Sequence, residues 1–421
     1  MRLTNMLKIL LGIFVWLLLP AAIAQNSVFE NGVWHKIGIT EPGLYKIDAS
    51  FLSGTMGINL SSFDPRTLKV YGVNGGMLPQ SNAHLRFNDP PENSIMGYQT
   101  NDGSMDPNDY FLFYAEGPDQ MDFGNEGEII YEKNIYSDTA YYFITYGGSM
   151  GKRISMEPSA NQNGKTISTF HDIITHESDE INLQGSGRYW FGNEFSSSKT
   201  LHHEFHYETP GLKDSLSLYI DLVSESEGPC SFDISLNGSM IDQIPFDSVP
   251  TGPGTTYTIR GREKQKTYSI NNLTTESIDL SISFNRSNAL LSRGYIDYFL
   301  LTYERDLALY DQSTKFQNLL SINELNQYQV EVSEAENAHI LKVTDPLNIH
   351  EIEYQKVGTK AIFNHLDTIV NEFVAFQGSD FPRPTYIGEI ENQNLKGSSN
   401  FDGLIIIAKE FLAQANRLKD F

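Results

Sequence analysis

The sequence predicts a mainly β protein that ends in the first strand and helix of an α/β domain. Short segments with period-two hydrophobic alternation recur from residue 33 to residue 305, and clusters of Gly, Pro, Asn and Asp separate them. Only after residue 399 does the pattern change, first to an apolar run and then to apolar residues at helical spacing. The length of 421 residues exceeds what one compact core normally uses, so we expect more than one domain.

Residues 1 to 24 predict a signal peptide. Arg2 and Lys8 accompany an apolar stretch, residues 9 to 19, that is short for a membrane span, and residues 22 to 24 (AIA) fit a small-x-small cleavage site. An uncleaved anchor is the alternative interpretation. We therefore expect an exported protein, and no later stretch predicts a transmembrane segment.

Composition narrows the partners. The formal net charge of −23 at pH 7 repels phosphate backbones, which argues against nucleic acid as a partner. We interpret the acidity as a means of solubility outside the cytoplasm. Cys230 is the single cysteine, so the chain cannot form an internal disulfide.

Residues 25 to 160 predict an N-terminal β domain. The stretch VWHKIGITEPGLYKID, residues 33 to 48, alternates on both sides of Pro42-Gly43, a pair suited to a type II turn, and so predicts a hairpin. Further short strands are predicted at residues 67–73, 109–117 and 140–148.

A polar stretch, residues 147 to 165, has few apolar residues and indicates a domain boundary or a long exposed hairpin. Residues 166 to 310 then predict a β-sandwich of jelly-roll type, with a hairpin turn at Asn237-Gly238. Its strands are predicted at residues 200–208, 215–224, 230–238, 256–261, 277–285 and 295–305. Residues 311 to 398 predict a β-rich connecting region, with strands at residues 338–345 and 370–378.

The last residues, FDGLIIIAKEFLAQANRLKDF, predict a strand over 403–408 and then a helix. The helix places four apolar residues on one stripe: Phe411, Leu412, Ala415 and Leu418. A strand that is apolar on both faces needs neighbours and covering helices, and the pattern upstream offers none. We therefore expect residues 399–421 to begin a domain encoded after Phe421, and to pack poorly against the β region.

The segment HHEFH, residues 202–206, places His202, Glu204 and His206 on one face of a strand. A surface metal site is one interpretation. The zinc-peptidase motif needs two histidines four residues apart on a helix, so we favour a solvated sheet face.

The segment NDGSMDPND, residues 101–109, groups Asp102, Asp106 and Asp109. These carboxylates suggest calcium binding, but their spacing does not match an EF-hand loop. Asp, Asn, Pro and Gly are what a turn before a strand requires, so we favour a turn.

Cys230 starts a predicted sandwich strand, with no helix N-terminus or neighbouring histidine in sequence to lower its pKa. We interpret it as a small buried side chain rather than a nucleophile. The sequence predicts no catalytic residue, no cofactor site and no metal site within this chain.

Five segments, in their order along the chain, resemble the PorU family of gingipain-type cysteine peptidases, the sortases of the type IX secretion system. They are DYFLFYAEGPD (109–119), SDTAYYFITY (137–146), GSGRYWFGNEF (185–195), GYIDYFLLTYER (294–305) and ENQNLKGSSNFDGLIIIAKEFLAQANRLKDF (391–421).

The resemblance implies a β-rich N-terminal region followed by a caspase-like α/β peptidase domain, of which residues 399–421 are the start. It implies a cell-surface or outer-membrane location in a Gram-negative bacterium. The implied partners are type IX secretion components and cargo proteins whose C-terminal sorting domains are removed. The family's catalytic His and Cys lie downstream of this first strand-helix unit, so no residue here inherits their role and this chain alone is expected to be inactive.

The alternative is a non-enzymatic surface β-sandwich protein that binds glycan or protein partners. Trp34, Tyr189 and Trp190 are the aromatic residues that we consider for a sugar platform. Packing in a core is the commoner fate of such side chains.

Overall fold

The computed structural model describes residues 26–397, apart from 74, 85, 125–126, 186, 251–258 and 288, together with residues 403–420. Strands dominate these ranges, so the predicted mainly β fold class is confirmed. The predicted signal peptide and the first half of the strand predicted at residues 256–261 lie outside the described residues, and residues 259–261 form no strand. No helix within the described ranges is long and apolar enough to cross a membrane.

The strands fall into three consecutive stretches. The first comprises β1 Trp34–Ile39, β2 Gly43–Asp48, β3 Lys69–Gly72, β4 Glu92–Asn93, β5 Met96–Tyr98, β6 Tyr110–Ala115, β7 Gln120–Phe123, β8 Ile129–Glu132 and β9 Ala140–Thr145. The second comprises β10 Ser155–Glu157, β11 Lys165–Ile167, β12 Thr169–Glu177, β13 Gly192–Phe195, β14 His202–Glu208, β15 Leu212–Ser226, β16 Cys230–Leu236, β17 Ser239–Phe246, β18 Arg262–Asn271, β19 Ser277–Arg286 and β20 Ser292–Asp306. The third comprises β21 Ser313–Gln317, β22 Glu324–Glu331, β23 His339–Lys342, β24 His350–Ile352, β25 Gln355–Val357, β26 Lys360–Asp367, β27 Glu372–Phe376 and β28 Thr385–Ile390.

Helical structure in the described residues is short. Single turns form at Val28–Glu30, Phe51–Thr55, Leu60–Ser62, Pro65–Thr67 and Lys409–Phe411, and the one α-helix described, α1, spans Leu412–Lys419.

The first unit consists of two antiparallel sheets around one apolar core. One sheet has the order β28-β1-β9-β3-β4 and the other has the order β2-β6-β5. Ile37 of β1, Ile47 of β2 and Phe111 of β6 are fully buried in the core between them. The edge strand β28 comes from the end of the β region and lies antiparallel to β1, with Ile390 opposite Trp34.

The hairpin predicted over residues 33 to 48 is wrong. β1 pairs with β9 and β28, whereas β2 pairs with β6 in the other sheet. The Pro42-Gly43 link therefore carries the chain from one sheet to the other. Both strands supply buried side chains to the same core, and they do so from opposite sheets rather than side by side. The alternation identified the two strands but not their partners.

The second unit is a β-sandwich. Its sheets have the orders β12-β20-β15-β18, with β13 added beside β20, and β14-β19-β16-β17. Alternate residues of both sheets, among them Ile220, Phe232 and Phe299, are fully buried between them. Asn237 and Gly238 both have positive φ (47° and 75°) between β16 and β17, which confirms the predicted hairpin turn. The sequence interpretation missed β12, β13 and β18. β18 carries five charged or amide side chains within its first five residues.

The third unit also has two sheets, with the orders β10-β24-β23-β27-β21 and β11-β22-β26-β25. Phe316, Phe363 and Phe373 are fully buried in its core. β10 arises within the polar stretch of residues 147–165, and β11 begins at its end, and each pairs in parallel with a strand of this unit. A further apolar cluster joins Leu44 and Leu112 of the first unit to residues of the third. The domain boundaries proposed from the sequence stay predictions.

The C-terminal segment differs from the rest of the chain. Residues 403–408 have no strand partner in the described part, so the strand predicted there is not formed. Leu404 and Ile406 are 80% and 85% exposed. The predicted helix is present as α1, but none of its residues is buried. The expectation of poor packing against the β region is confirmed for residues 403–420.

Candidate functional site

A cleft of about 650 Å³ lies where the three β units meet. The loop before β2, the β7–β8 hairpin, β12, β21 and β27 contribute to its walls. Carboxylates predominate among its charged lining residues, with two lysines beside them: Glu41, Glu116, Asp119, Asp138, Asp172, Glu177, Glu372, Lys133 and Lys315. The cleft therefore has an acidic lining.

An ion pair lies where the third unit meets the first. The Lys315 ammonium on β21 is 2.6 Å from a carboxylate oxygen of Glu372 on the adjacent strand β27. The ammonium also lies 5.9 Å from the ring centroid of Tyr114 on β6. Burial raises the pKa of the Glu372 carboxyl, and the Lys315 charge opposes that effect. The pair fixes the position of one of the two lysines in the cleft.

The β7–β8 hairpin forms a second wall. Asp119 accepts hydrogen bonds from the Tyr131 hydroxyl (3.1 Å) and from the backbone amide of Asn134 (2.9 Å), and the Lys133 ammonium lies 3.5 Å away. The Tyr131 ring packs against Tyr298 of β20, with 5.6 Å between the ring centroids. The contact between Tyr131 and Tyr298 therefore holds the hairpin against the sandwich. Asp119 joins the residue stretch before β7 to β8 and the residues that follow it.

Glu177, at the end of β12, is a second carboxyl group in this cleft whose pKa is raised. Burial raises the pKa of its carboxyl to about 7, and the nearby Asp179 and Asp119 charges add to the shift, while Tyr131 and Lys133 oppose it. Its Oε2 atom is buried and has no hydrogen-bond partner within the described residues. Glu177 therefore changes its protonation state in the neutral pH range.

Two further carboxyl groups, those of Asp221 and Asp297, lie on the outer face of the sandwich. The register of β15 and β20 shifts between Ile220 and Leu222, so Asp297 and Tyr298 both lie opposite Asp221 in a β-bulge. Burial, with the neighbouring Asp221 and Glu177 charges, raises the pKa of Asp297 to about 8. Burial also raises the pKa of Asp221 to about 6, although Gln265 donates a hydrogen bond of 2.8 Å to it.

These carboxyl groups give the cleft and its margin a charge that depends on pH. Groups with a pKa between 6 and 8 lose their protons across the neutral range, so the negative potential grows as the pH rises. A positively charged group is the ligand that such a potential attracts. No thiol is among the residues that line the cleft.

The histidine motif lies on the exposed face of the edge strand β14. The His202 ring is 2.9 Å from Glu204, and the His206 ring is 2.6 Å from Asp279 of β19 and 2.9 Å from Glu208. The hydrogen bonds to Asp279 and Glu208 raise the pKa of His206. These contacts describe a solvated hydrogen-bonded sheet face, and no group of three possible metal ligands forms a metal site in the described ranges.

The loop of Asp102, Asp106 and Asp109 is built as a turn. Asp102 accepts a hydrogen bond of 3.0 Å from the Ser104 amide, and the buried Asp109 carboxylate accepts one of 2.8 Å from the Asp106 amide. The two carboxylates therefore satisfy backbone donors before β6.

Cys230 is buried in the sandwich core at the start of β16. Its Sγ atom lies 2.9 Å from the Ser224 hydroxyl. Burial raises the pKa of the thiol, which is the opposite of what a thiolate nucleophile needs. The side chain fills space in the core, as the sequence interpretation held.

The three aromatic residues considered for a sugar platform differ in their exposure to solvent. Trp34 is 4% exposed, and its Nε1 donates a hydrogen bond of 2.9 Å to the Asn31 carbonyl. Tyr189 and Trp190 are 80% and 42% exposed, on a loop closed by a bridge between Ile181 and Phe191. Trp34 therefore belongs to the fold, and only the other two are open to a ligand.

Sequence reasoning missed the cleft. Its walls combine residue 40 with residue 372, and no local motif signals a site assembled across that distance. The one usable signal was the excess of Asp and Glu over Lys and Arg. It does not mark the cleft, because carboxylates are abundant throughout the chain.

Comparison with solved structures finds a close match in fold. The chain is similar to dimeric latent PorU from Porphyromonas gingivalis, with a TM-score of 0.79 and 20% sequence identity, over 94% of this chain and 36% of that chain. No protein-family model matches the chain, and no match is found among the curated proteins.

Two further solved structures align with much lower TM-scores. The CBM36-1 domain of a xylanase from the hindgut metagenome of Trinervitermes trinervoides gives 0.20, at 10% identity over 31% of this chain and 95% of that chain. The Cry8Ea1 toxin of Bacillus thuringiensis gives 0.21, at 11% identity over 58% and 43% of the two chains. These scores are too low to indicate a common fold. The described chain thus has a PorU-like fold and spans about a third of the length of the PorU chain that it matches.

Proposed function

We propose that this chain is the β-rich N-terminal region of a PorU-like cell-surface sortase. In such a protein a gingipain-type cysteine peptidase removes the C-terminal sorting domains of type IX secretion cargo. The observation that carries the proposal is the PorU-like fold over 94% of the chain at a TM-score of 0.79. The order of the five sequence segments and the exposed segment at residues 403–420 support it.

Within this proposal the β region positions the peptidase and its partners, and the catalysis takes place elsewhere. The resemblance assigns the family's catalytic His and Cys to no residue of this chain, so the proposal gives these residues no catalytic role. A cysteine peptidase needs a thiolate that a histidine activates. The buried Cys230, with its raised pKa, does not supply one. The acidic cleft is the surface that we assign to a basic segment of a cargo or secretion partner.

The test is a chromosomal deletion of the codons for residues 26–397, with the unaltered gene restored in the control strain. We expect type IX cargo to keep its C-terminal sorting domain in the deletion strain and to lose it in the control, as measured by mass spectrometry of surface proteins. Normal processing of the cargo in the deletion strain contradicts the proposal. A coding sequence that continues into strand-helix units with a His and a Cys supports the proposal independently.

Exposure of Tyr189 and Trp190 favours a second candidate, a glycan-binding surface protein. Neither ring has an aromatic contact in the described part of the chain, whereas Trp34 packs edge-on against Phe29 and Tyr71. Exposed aromatic rings stack on sugar rings, and the indole N–H of Trp190 is available as a donor. Polysaccharide binding that is lost in Trp190→Ala and kept in Arg188→Ala favours this candidate, and binding to no polysaccharide excludes it.

A further inference from the structure

The first described residues form a strap, residues 26–30, that lies across the first unit. The single turn Val28–Glu30 begins after Ser27, whose hydroxyl accepts a hydrogen bond from the Phe29 amide. The buried Phe29 ring packs edge-on against Trp34 of β1 at 4.7 Å and Phe143 of β9 at 4.9 Å between centroids. The strap is therefore anchored on the first sheet through one aromatic side chain.

The connector, residues 391–397, follows β28 and meets this strap. Asn394 lies at the centre of the contact. Its Oδ1 accepts hydrogen bonds from the amides of Ser27 (3.0 Å) and Gly397 (2.9 Å). Its Nδ2 donates to Asn26 Oδ1 (3.0 Å) and Glu30 Oε1 (2.9 Å). One amide side chain thus uses both its acceptor and its donor to join two segments that are 367 residues apart in sequence.

Two further ties reinforce this contact. The Gln393 amide donates a hydrogen bond of 3.0 Å to the Phe29 carbonyl. Asp89 accepts from the Ser27 hydroxyl at 2.8 Å and forms an ion pair with Lys396. Burial disfavours the charged form of Asp89, but the hydrogen bonds from Lys396 and Ser27 outweigh it and lower the pKa of the carboxyl. The connector is held by backbone, amide and charged groups together.

The backbone at Gly397 is adapted to the same contact. A Cβ atom at this position would lie 2.3 Å from Asn394 Nδ2 and 2.9 Å from Asn26 Oδ1. A side chain there would push the Asn394 amide away from its partners, because real Cβ atoms do not approach so closely. The glycine therefore leaves room for the Asn394 amide at the contact.

We infer that the strap and the connector form a clasp in which the amino-terminal residues fix the position of the connector, residues 391–397. Asn394 is its positioning residue. Among the described residues that follow it, Leu404 and Ile406 are exposed and pack against no described unit. That the clasp sets the position of a peptidase domain rests on the proposed function. The clasp itself does not.

The test is amide hydrogen exchange, followed by mass spectrometry, on the full chain. Asn394→Ala removes the shared amide, and Leu395→Ala is the matched control, because Leu395 is exposed and makes no polar side-chain contact in the described residues. We expect peptides that cover the connector and peptides that cover the strap to exchange about tenfold faster in Asn394→Ala, with β15 and β20 unchanged. The control should match the parent chain in all of these peptides.

Gly397→Ala provides a second variant that removes no polar group and should show the same paired increase. Faster exchange in the connector alone, or in neither segment, overturns the clasp, because a merely local role of Asn394 leaves the strap protected. These readouts need no peptidase activity. A failed clasp therefore leaves the proposed function standing, and a failed sortase assignment leaves the clasp standing.

Discussion

Replacement of Asp297 by Asn should stabilise the protein at alkaline pH and have little effect at acid pH. The folded state raises the pKa of Asp297 from 3.8 to about 8, because the carboxyl is partly buried and lies near Asp221 and Glu177. Between about pH 4 and pH 8 the folded chain therefore holds a proton that the unfolded chain has released. The unfolding free energy falls as the pH rises through this window, and the loss is complete above the folded pKa.

The size of the effect follows from the shift. Four pKa units correspond to about 5.5 kcal/mol of preference for the neutral form. Water reaches part of the Asp297 side chain and screens its neighbours' charges, which reduces the expected gain to about 2 kcal/mol. Asn is neutral at every pH, so Asp297→Asn should gain this amount at about pH 9 and almost nothing at about pH 4.

Urea unfolding at these two pH values measures the effect, with hydrogen exchange in β15 and β20 to assign it to the sandwich. Asp380→Asn is the matched control, because Asp380 is exposed and makes no hydrogen bond or ion pair in the described ranges. The control should change the unfolding free energy by less than about 0.5 kcal/mol at either pH. Equal stability of Asp297→Asn and the parent chain at the higher pH would refute the reasoning.

Three further outcomes are expected. Phe373→Ala should lower the unfolding free energy of the third unit by about 3–5 kcal/mol in urea, because the ring is fully buried and a cavity replaces it; a loss below about 1 kcal/mol contradicts the described core. Lys315→Ala should cost about 3 kcal/mol in thermal unfolding at neutral pH, since it leaves the Glu372 carboxylate, which is 13% exposed, without its cation. That cost should shrink at about pH 4, where Glu372 takes up a proton, and an equal cost at both pH values argues against the ion pair. Cys230 should react with a thiol reagent only in denaturant, because burial shields it and raises its pKa, and rapid reaction of the native chain contradicts its placement.

Only part of the strand set was predictable, and apart from the β16–β17 hairpin the strand partners were not. Alternation marked β16 and β19 because one face of each strand enters a core, whereas β6 is apolar throughout because both of its faces are buried. The same pattern at β1 and β2 suggested a hairpin, whereas β1 pairs with β9 and β28, which lie far along the chain. Period two reports burial and carries no information about which strand lies alongside.

The candidate site escaped prediction for a related reason. Lys315 and Glu372 are 2.6 Å apart only because β21 and β27 are neighbours in one sheet, and Glu177 reaches the same cleft from the sandwich. Burial raises the pKa of Asp297, and the charge of Asp221, which a bulge places opposite it, adds to the shift. The burial and the neighbouring charges that shift the pKa of these carboxyl groups exist only after the units have assembled.

Because β28 pairs with β1, the first sheet can be completed only after most of the chain has been synthesised. The amino-terminal end leaves the ribosome first, so Trp34 is synthesised long before Ile390, its partner residue in the sheet. Until β28 pairs with it, one edge of β1 has unpaired backbone amides and carbonyls. Such an edge can pair with strands from other molecules. A chain that is interrupted before β28 therefore keeps this unpaired edge on β1, and we expect it to aggregate more readily than the complete β region.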